Sequence, residues 1–569
     1  MILTKHMTRV KNFFKNNFFL VLLFILIIPT FRPLVRPGYF PMHDDMQAMR
    51  LLQLDKCVKD GQIPCRWVPD MGYGYGYPQF NYYAPLPYYI MEAFHLSGFG
   101  FLDSVKIGFI LSIIVSAIGM YFLGSSLWGK TGGFVSAFLY SYAPYKAVDI
   151  YVRGAMGEAW AFAILPFVFW SAFYLIEGKK KSLMWFALSF SALFTSHNIS
   201  SFITLPFLAV WILFLLFIKS KDSPFEFKRF GLKIFLGLAW GFSLSAFFLL
   251  PAWFEKNLVH IETLLGGYFN YINHFVGLKQ LLFETQWGYG TSEVGPYDDL
   301  LLSVGLVHWI LPLISVALFI FLKKKRESRL ILSLAVMGWL GLFMTHPRSA
   351  FFWEKIFALS YIQFPWRFLL FSTFFFAIAS GSLVLLFKKR SKLGKLWLFF
   401  FVILIFFLYR NYFTPRVWIN ESDQEKFSGE SWQRQQTISI FDYLPVYAGK
   451  PPGQPAPDTP SILAGEVNIL DGEKGTDWQK WNMEVGSDNA EVQLPLFYFP
   501  GWKVMINGRQ LPVRYDNSLG LITFEIYKGQ QLVEARLFNT PIRAVSNILT
   551  LMGLILIPIY LRKSIKLNL

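Results

Sequence analysis

Cysteine is almost missing from this chain: two residues, Cys57 and Cys65, in 569. That limits it to one intramolecular disulfide, and with the turn-forming Lys59-Asp60-Gly61 between the pair, a bridge and two free thiols both remain open. Histidine is also scarce, with eight residues and no cluster suited to a zinc site. No internal repeat of the kind common in transporters is visible. No small-x-small cleavage site separates the basic, then apolar, N-terminus from Arg32-Pro33-Leu34-Val35-Arg36, so the first apolar stretch is expected to remain as a span. Charged residues make up only 16% of the chain.

What is abundant is apolar. Hydrophobic residues reach 54%, phenylalanine alone numbers 62, and the mean hydropathy is +0.41, more than a soluble core of this size can use. Runs of roughly twenty apolar residues, enough to cross ~30 Å of hydrocarbon, recur along the sequence. They fall near 14–31, 104–124, 132–150, 155–176, 182–198, 201–218, 230–251, 299–322, 329–345, 365–387, 394–409 and 542–561. This predicts a mainly α, polytopic membrane protein of about twelve transmembrane helices. Basic clusters at Lys5 to Lys15, Lys179 to Lys181, Lys219 to Lys233, Lys323 to Arg326, Lys388 to Lys395 and Arg562 to Lys566 then share one side. By the positive-inside rule that side and both termini are cytoplasmic. The net charge of +17 thus reflects topology, and nucleic acid is not an expected partner. Tyr82 to Gly98, with Pro85, Pro87, Glu92 and His95, is a poor span and is expected to lie at the interface or re-enter.

The polar information sits in the outer loops, 32–103 and 252–298. His43-Asp44-Asp45 follows the first span closely, and a carboxylate at a membrane edge, costly by roughly 2.5–3.5 kcal/mol inside hydrocarbon, faces water, a partner or a substrate. The residues after it have helical spacing to Lys59, so the acidic pair is expected to cap a surface helix. Glycine and tyrosine alternate from Met71 to Tyr83, either as an interfacial aromatic belt or as a platform for a sugar ring or isoprenoid chain. Further outer-facing groups stand at span ends: Arg153 and Glu158, His197, Glu255, Arg348 and Arg367. Arg153 and Glu158 are placed to meet each other or a common ligand. Arginines on this face run against the positive-inside bias and suit an anionic ligand such as a phosphate. The Gln286 to Gly290 stretch and Asp298-Asp299 of the second loop are positioned to cover a site. After Tyr409 the chain turns polar until Arg543. Ile522 to Ile526 and Leu532 to Leu537 alternate in the period-two manner and Asn507-Gly508 marks a hairpin, which predicts a small extracytoplasmic β-sandwich. The expected domains are therefore a transmembrane domain over 1–409, a β-rich domain over 410–541, and a final helix with a cytoplasmic tail over 542–569.

The order His43-Asp44-Asp45, Tyr83-Ala84-Pro85-Leu86-Pro87-Tyr88, Arg153-Gly154-Ala155-Met156-Gly157-Glu158, Ser196-His197-Asn198 and Phe364-Pro365-Trp366-Arg367 resembles bacterial membrane proteins labelled as related to pyruvoyl-tetrahydropterin synthase. Tyr498-Phe499-Pro500-Gly501-Trp502 with Asn507-Gly508 resembles the outer domain of proteins implicated in glycosylating cell-envelope polymers. The set is also similar to the GT-C superfamily of integral membrane glycosyltransferases. That resemblance implies transfer, with inversion, from a polyprenyl-phosphate-linked sugar to an envelope glycan or lipid acceptor outside the cytoplasmic (inner) membrane. It implies that Asp44 or Asp45 is the catalytic carboxylate, with His43, Tyr83, Arg153, Glu158, His197, Arg348 and Arg367 toward the substrate. A divalent metal, Mg or Mn, on Asp44 and Asp45 is compatible with it but is not required. The alternatives are a lipid-linked saccharide transporter or flippase, and a non-catalytic envelope-assembly protein. The former lacks its usual marks here, because the ionisable groups gather at the outer edge and not at mid-membrane.

Overall fold

The computed structural model describes residues 17–222, 227–295, 298–387 and 391–566. The basic cluster at Lys5 to Lys15 and the start of the one at Lys388 lie outside them. Among the described residues nine helices are long and apolar enough to cross a membrane, and two shorter apolar ones span Ser182–Ser196 and Leu306–Phe321. One of the nine, Phe101–Ser141, is broken at Gly129, whose φ of 79° no helix interior adopts, so it holds two of the expected spans. The second of these ends at Ser141 and not near 150. Pro144 cannot continue a helix and sets Ala143 extended; a short helix, Pro144–Val148, and a π-helical turn, Asp149–Arg153, take up the rest.

The chain divides into two compact units. The first comprises residues up to 45, 106–241 and 267–420. Its centre is the segment Pro365–Leu386, the most buried of the membrane-length helices. Small residues let its neighbours approach: a Cβ on Gly338 would stand 2.4 Å from the Phe376 ring, and one on Gly341 2.5 Å from Ser372 Oγ. Dense van der Waals contact of this kind holds helices together where burial from water gives no drive.

The second unit comprises residues 46–105, 242–266 and 421–569. The expected cuts at 410 and 541 do not capture it, because two earlier stretches pack with the C-terminal region. Six antiparallel strands form its sheet: β1 Ser461–Ala464, β2 Val467–Lys474, β3 Trp478–Phe497, β4 Trp502–Ile506, β5 Arg509–Leu511 and β6 Leu521–Leu537. The order is β1-β3-β6-β4-β5, with β2 also on β3, so the strands bond into one sheet where two were expected. The expected hairpin is present, with Asn507 and Gly508 both at positive φ between β4 and β5. On β3 the buried positions are Trp481, Met483 and Val485 before a register shift, and Ala490, Val492 and Leu494 after it. The bulge thus switches the buried phase and keeps both halves facing one core.

Helix Gln47–Asp60 belongs to this unit. It is largely buried, and its N-cap is Met46 with no side-chain hydrogen bond, so the acidic pair caps no surface helix. Cys57 and Cys65 form a disulfide at its end. The glycine and tyrosine run is compact: Gly72, Tyr73, Gly74 and Gly76 take positive φ in tight turns, Tyr75, Tyr77 and Tyr82 are buried, and Tyr73 stays partly exposed. The Tyr77 hydroxyl donates to the carbonyls of Ser439 and Ile440. Tyr82 to Gly98 contributes only a helix of 11 residues, Leu86–Leu96, too short to span.

On that helix Glu92, 2% exposed, lies beside Asp55. Burial, reinforced by the neighbouring carboxylate, pushes its pKa from the ordinary 4.5 up to about 8. A carboxyl raised in the folded state contributes stability below its unfolded pKa that is lost as pH climbs through the folded one. Thermal unfolding of the protein in detergent is expected to fall between pH 5 and pH 9, about the window bounded by those two values. Glu92→Gln flattens that dependence.

Candidate functional site

The first unit contains a buried cluster of charges built from three segments. The π-helical turn supplies Asp149 and Arg153, the start of helix Met156–Ile176 supplies Glu158, and the 3-10 turn Pro365–Phe368 supplies Trp366 and Arg367. Arg153 Nη1 stands 2.5 Å from Asp149 Oδ1 and 2.7 Å from Glu158 Oε2, and both carboxylates are fully buried. The other Glu158 oxygen accepts from the Tyr145 hydroxyl at 2.5 Å. The Arg153 guanidinium lies over the Trp366 ring, 4.4 Å from its centroid. Arg367 Nε approaches Glu158 Oε2 at 3.9 Å, while its Nη1 donates to the Ile362 carbonyl and Gln363 Oε1. Two guanidinium groups facing two carboxylates in a dry interior tolerate one another only as a complete set, because each partner removed leaves a buried charge uncompensated.

This cluster carries the acidic motif. The His43 amide donates to the Val152 carbonyl at 3.0 Å and the Asp44 amide to the Arg153 carbonyl at 2.9 Å. The bonds are possible because Gly154 takes φ +64°, and a Cβ there would stand 2.1 Å from Met42 Sδ. Asp44 and Asp45 are themselves half-buried, at a turn. His43 Nε2 lies 3.3 Å from the Tyr289 carbonyl. Burial holds the His43 pKa below its usual value, with Arg153's charge acting the same way and the Tyr289 carbonyl opposing it. The Gln286 to Gly290 stretch of the second outer loop therefore meets the motif at His43.

A second part of that loop reaches the arginines through a chain of rings. Tyr268 and His274 meet Phe364 at 5.9 and 4.6 Å, Phe364 stacks on Trp366 at 4.8 Å, and Trp366 underlies Arg153. His274 Nδ1 pairs with Ser292 Oγ, and Asp298 Oδ1 accepts from the Glu293 amide. Burial raises the Asp298 pKa and lowers that of His274.

Of the residues singled out by sequence, His43, Asp44, Arg153, Glu158 and Arg367 are brought together. His197 joins them: a Cβ on Gly157 would stand 3.2 Å from its ring, and its Nδ1 pairs with Ser200 Oγ at 2.8 Å. Arg348 stays on the surface, in a 3-10 turn capped by His346. Tyr83 belongs to the second unit, under the Arg50 guanidinium. Tyr145, Asp149 and Trp366 escaped notice as partners. The acid-base-acid spacing Asp149, Arg153, Glu158, at separations of four and five positions, was the signal available. Glu255, expected at the membrane edge with these groups, instead sits in a buried network of the second unit with Arg543, Asn81 and Thr540.

Fold and cluster define a polytopic membrane protein with an ionic core next to an acidic turn. Residues 80–267 match the family model described as "6-pyruvoyl-tetrahydropterin synthase related domain; membrane protein", as the sequence motifs implied. An uncharacterized protein of Lactococcus lactis subsp. cremoris (strain MG1363) is 26% identical over 272 residues, 46% of this chain and 42% of that protein. Among solved structures, the chain is similar to the oligosaccharyltransferase AglB of Archaeoglobus fulgidus in complex with an inhibitory peptide and a dolichol-phosphate. The TM-score is 0.40 and the identity 12%, over 75% of this chain and 59% of that one. The same enzyme tethered to an acceptor peptide with the NVT sequon gives a TM-score of 0.43 at 12% identity, over 72% and 57%. The match spans under half of the bacterial relative and under three fifths of each archaeal chain.

Proposed function

We propose that this protein is a GT-C-type inverting glycosyltransferase of the bacterial inner membrane, moving a sugar from a polyprenyl-phosphate donor to an envelope glycan or lipid acceptor on the extracytoplasmic side. One observation carries the reading: the Asp44 amide bonded to the Arg153 carbonyl, which fixes a half-buried acidic turn to a rigid ionic core. A general base needs that fixity, since proton abstraction requires a carboxylate held within hydrogen-bond reach of the reacting hydroxyl. The acceptor oxygen attacks the anomeric carbon, its proton passes to the aspartate, and the bond from that carbon to the phosphate oxygen breaks with its electron pair leaving on the phosphate. Attack opposite the leaving group inverts the anomeric configuration.

Arg153 and Arg367 have their charges offset by Asp149 and Glu158, so their part is to position the turn and set the local field. Among the described residues no three His, Cys, Asp or Glu side chains converge as a metal site. Asp44 and Asp45 are the residues that would hold a Mg or Mn ion, which would supply positive charge against the phosphate.

The experiment is a transfer assay in proteoliposomes with radiolabelled undecaprenyl-phosphate-linked hexoses and purified envelope glycan. Label on the acceptor is the expected result. Label that crosses the bilayer without reaching acceptor would identify a carrier, and label that does neither would identify an assembly protein.

A further inference from the structure

The second unit holds a cleft of about 660 Å³. It is formed where five segments meet: the end of helix Gln47–Asp60, the turns at 69–76, helix Gly429–Thr437, the loop at 455–458, and the β2–β3 hairpin. Its volume falls within the roughly 300–1,000 Å³ of small-molecule sites.

The lining has two features. The first is aromatic: Tyr73, Trp432 and Trp478 line the cleft, and all three are only partly buried. The second is a balanced set of charges, Lys56, Lys59 and Lys474 against Asp60, Asp70 and Asp458. Many of these polar groups are already fixed. Asp70 accepts from Gln53 and Lys56 at 2.6 and 2.5 Å. Asp60 accepts the Thr476 amide, the Thr476 hydroxyl and the Trp478 indole N–H at 2.6, 2.7 and 3.0 Å, which holds that ring in place. The wall opposite is stitched by the Ala456 amide to the Tyr73 carbonyl and by Gln436 Nε2 to the Asp70 carbonyl. The Cys57–Cys65 disulfide closes the helix end that presents Lys56, Lys59 and Asp60.

Partly exposed rings beside preset donors and acceptors match the two-sided chemistry of a sugar, whose C–H faces lie on aromatic surfaces while its hydroxyls meet polar rims. Three cations against three anions give no net field to draw a polyanion, and a lining this polar does not suit an acyl chain. We infer that this cleft is a binding site for a short, uncharged oligosaccharide. Binding there is independent of the proposed transfer reaction and needs no donor lipid.

The test is saturation-transfer NMR on the full chain in detergent micelles, without donor, using maltotriose and chitotriose as neutral probes and heparin oligosaccharide as the anionic comparator. Saturable binding of a neutral trisaccharide at millimolar concentration or below is expected, weakened about two- to tenfold in Trp432→Ala and in Tyr73→Ala, the range set by one aromatic contact. Retention of the disulfide and of the unfolding temperature shows each variant to be folded. If neither trisaccharide binds, if both variants bind as tightly as the wild type, or if heparin binds tighter, the site is not one for neutral glycan. Because no donor is present, a failure here leaves the transfer assay unaffected, and the reverse also holds.

Discussion

Asp44→Asn is expected to lower sugar transfer by about 10²–10⁴-fold, the usual contribution of a positioned general base, while the protein folds and inserts normally. The two halves of that statement rest on different parts of the residue. The fold depends on the Asp44 amide, which donates to the Arg153 carbonyl at 2.9 Å and is unchanged by the substitution. The side chain sits at a half-buried turn, where a nearly isosteric change costs about 0.5 kcal/mol or less. Asp45→Asn is expected to have the smaller effect on transfer. One of its carboxylate oxygens is shut off from solvent, which leaves it less free to meet an arriving hydroxyl. The measurement is single-turnover transfer by the purified variants, with thermal unfolding recorded alongside. Equal activity of wild type and both variants would remove the acidic pair from the chemistry.

Apolar run length was enough to locate the nine membrane-length helices among the described residues, because crossing hydrocarbon demands long uninterrupted stretches, whereas the expected spans at 182–198 and 299–322 are helices of only 15 and 16 residues. Helix ends were less visible. The segment expected to run to residue 150 stops at Ser141, since the Pro144 signal was outweighed by the apolar residues beyond it, which turn out to serve a buried π-helical turn. That turn explains the site as well. Asp149 and Arg153 lie on it where α-helical spacing would already bring them together, and the arginine expected to face a phosphate closes on Asp149 and Glu158. Charge patterns in sequence cannot separate an arginine waiting for an anion from one already paired, because the partner is chosen by packing. The acidic pair was misjudged for a similar reason. Asp44-Asp45 before a helical pattern is a good cap signal, but His43 to Met46 form a turn tied to Val152 and Arg153 through His43 and Asp44, and Met46 takes the cap position before the helix begins at Gln47. In the glycine and tyrosine run alternation suggests exposure throughout, whereas its glycines permit turns that carry Tyr75 and Tyr77 inward and leave Tyr73 partly exposed.

Glu255→Gln is expected to cost about 3–5 kcal/mol of the second unit's stability, the penalty for stranding a buried charge. Glu255 ends its segment with one oxygen on Arg543 Nε at 2.9 Å and on Asn81, and the other on the Thr540 hydroxyl. The side chains of Arg543 and Glu255 are 1% and 7% exposed. Arg66 is nearby, bonded to Asn81 Oδ1, the Phe247 carbonyl and Asn547. The carboxylate therefore offsets a pair of positive charges in one interior, and the amide that replaces it leaves both facing each other. A loss of that size removes a large share of the roughly 5–15 kcal/mol that holds an ordinary domain together. Adding Arg543→Met to the same variant is expected to restore most of it, because the charge that was stranded is then gone and the methionine can lie on the Phe499 ring that the guanidinium now covers. Thermal unfolding of the two single variants and the double variant, read as a double-mutant cycle, measures the coupling. Additive losses would mean that the ion pair is incidental and that stability comes from the surrounding packing. Recovery in the double variant would assign it to charge balance between the last helix and the residue that follows helix Phe227–Phe254.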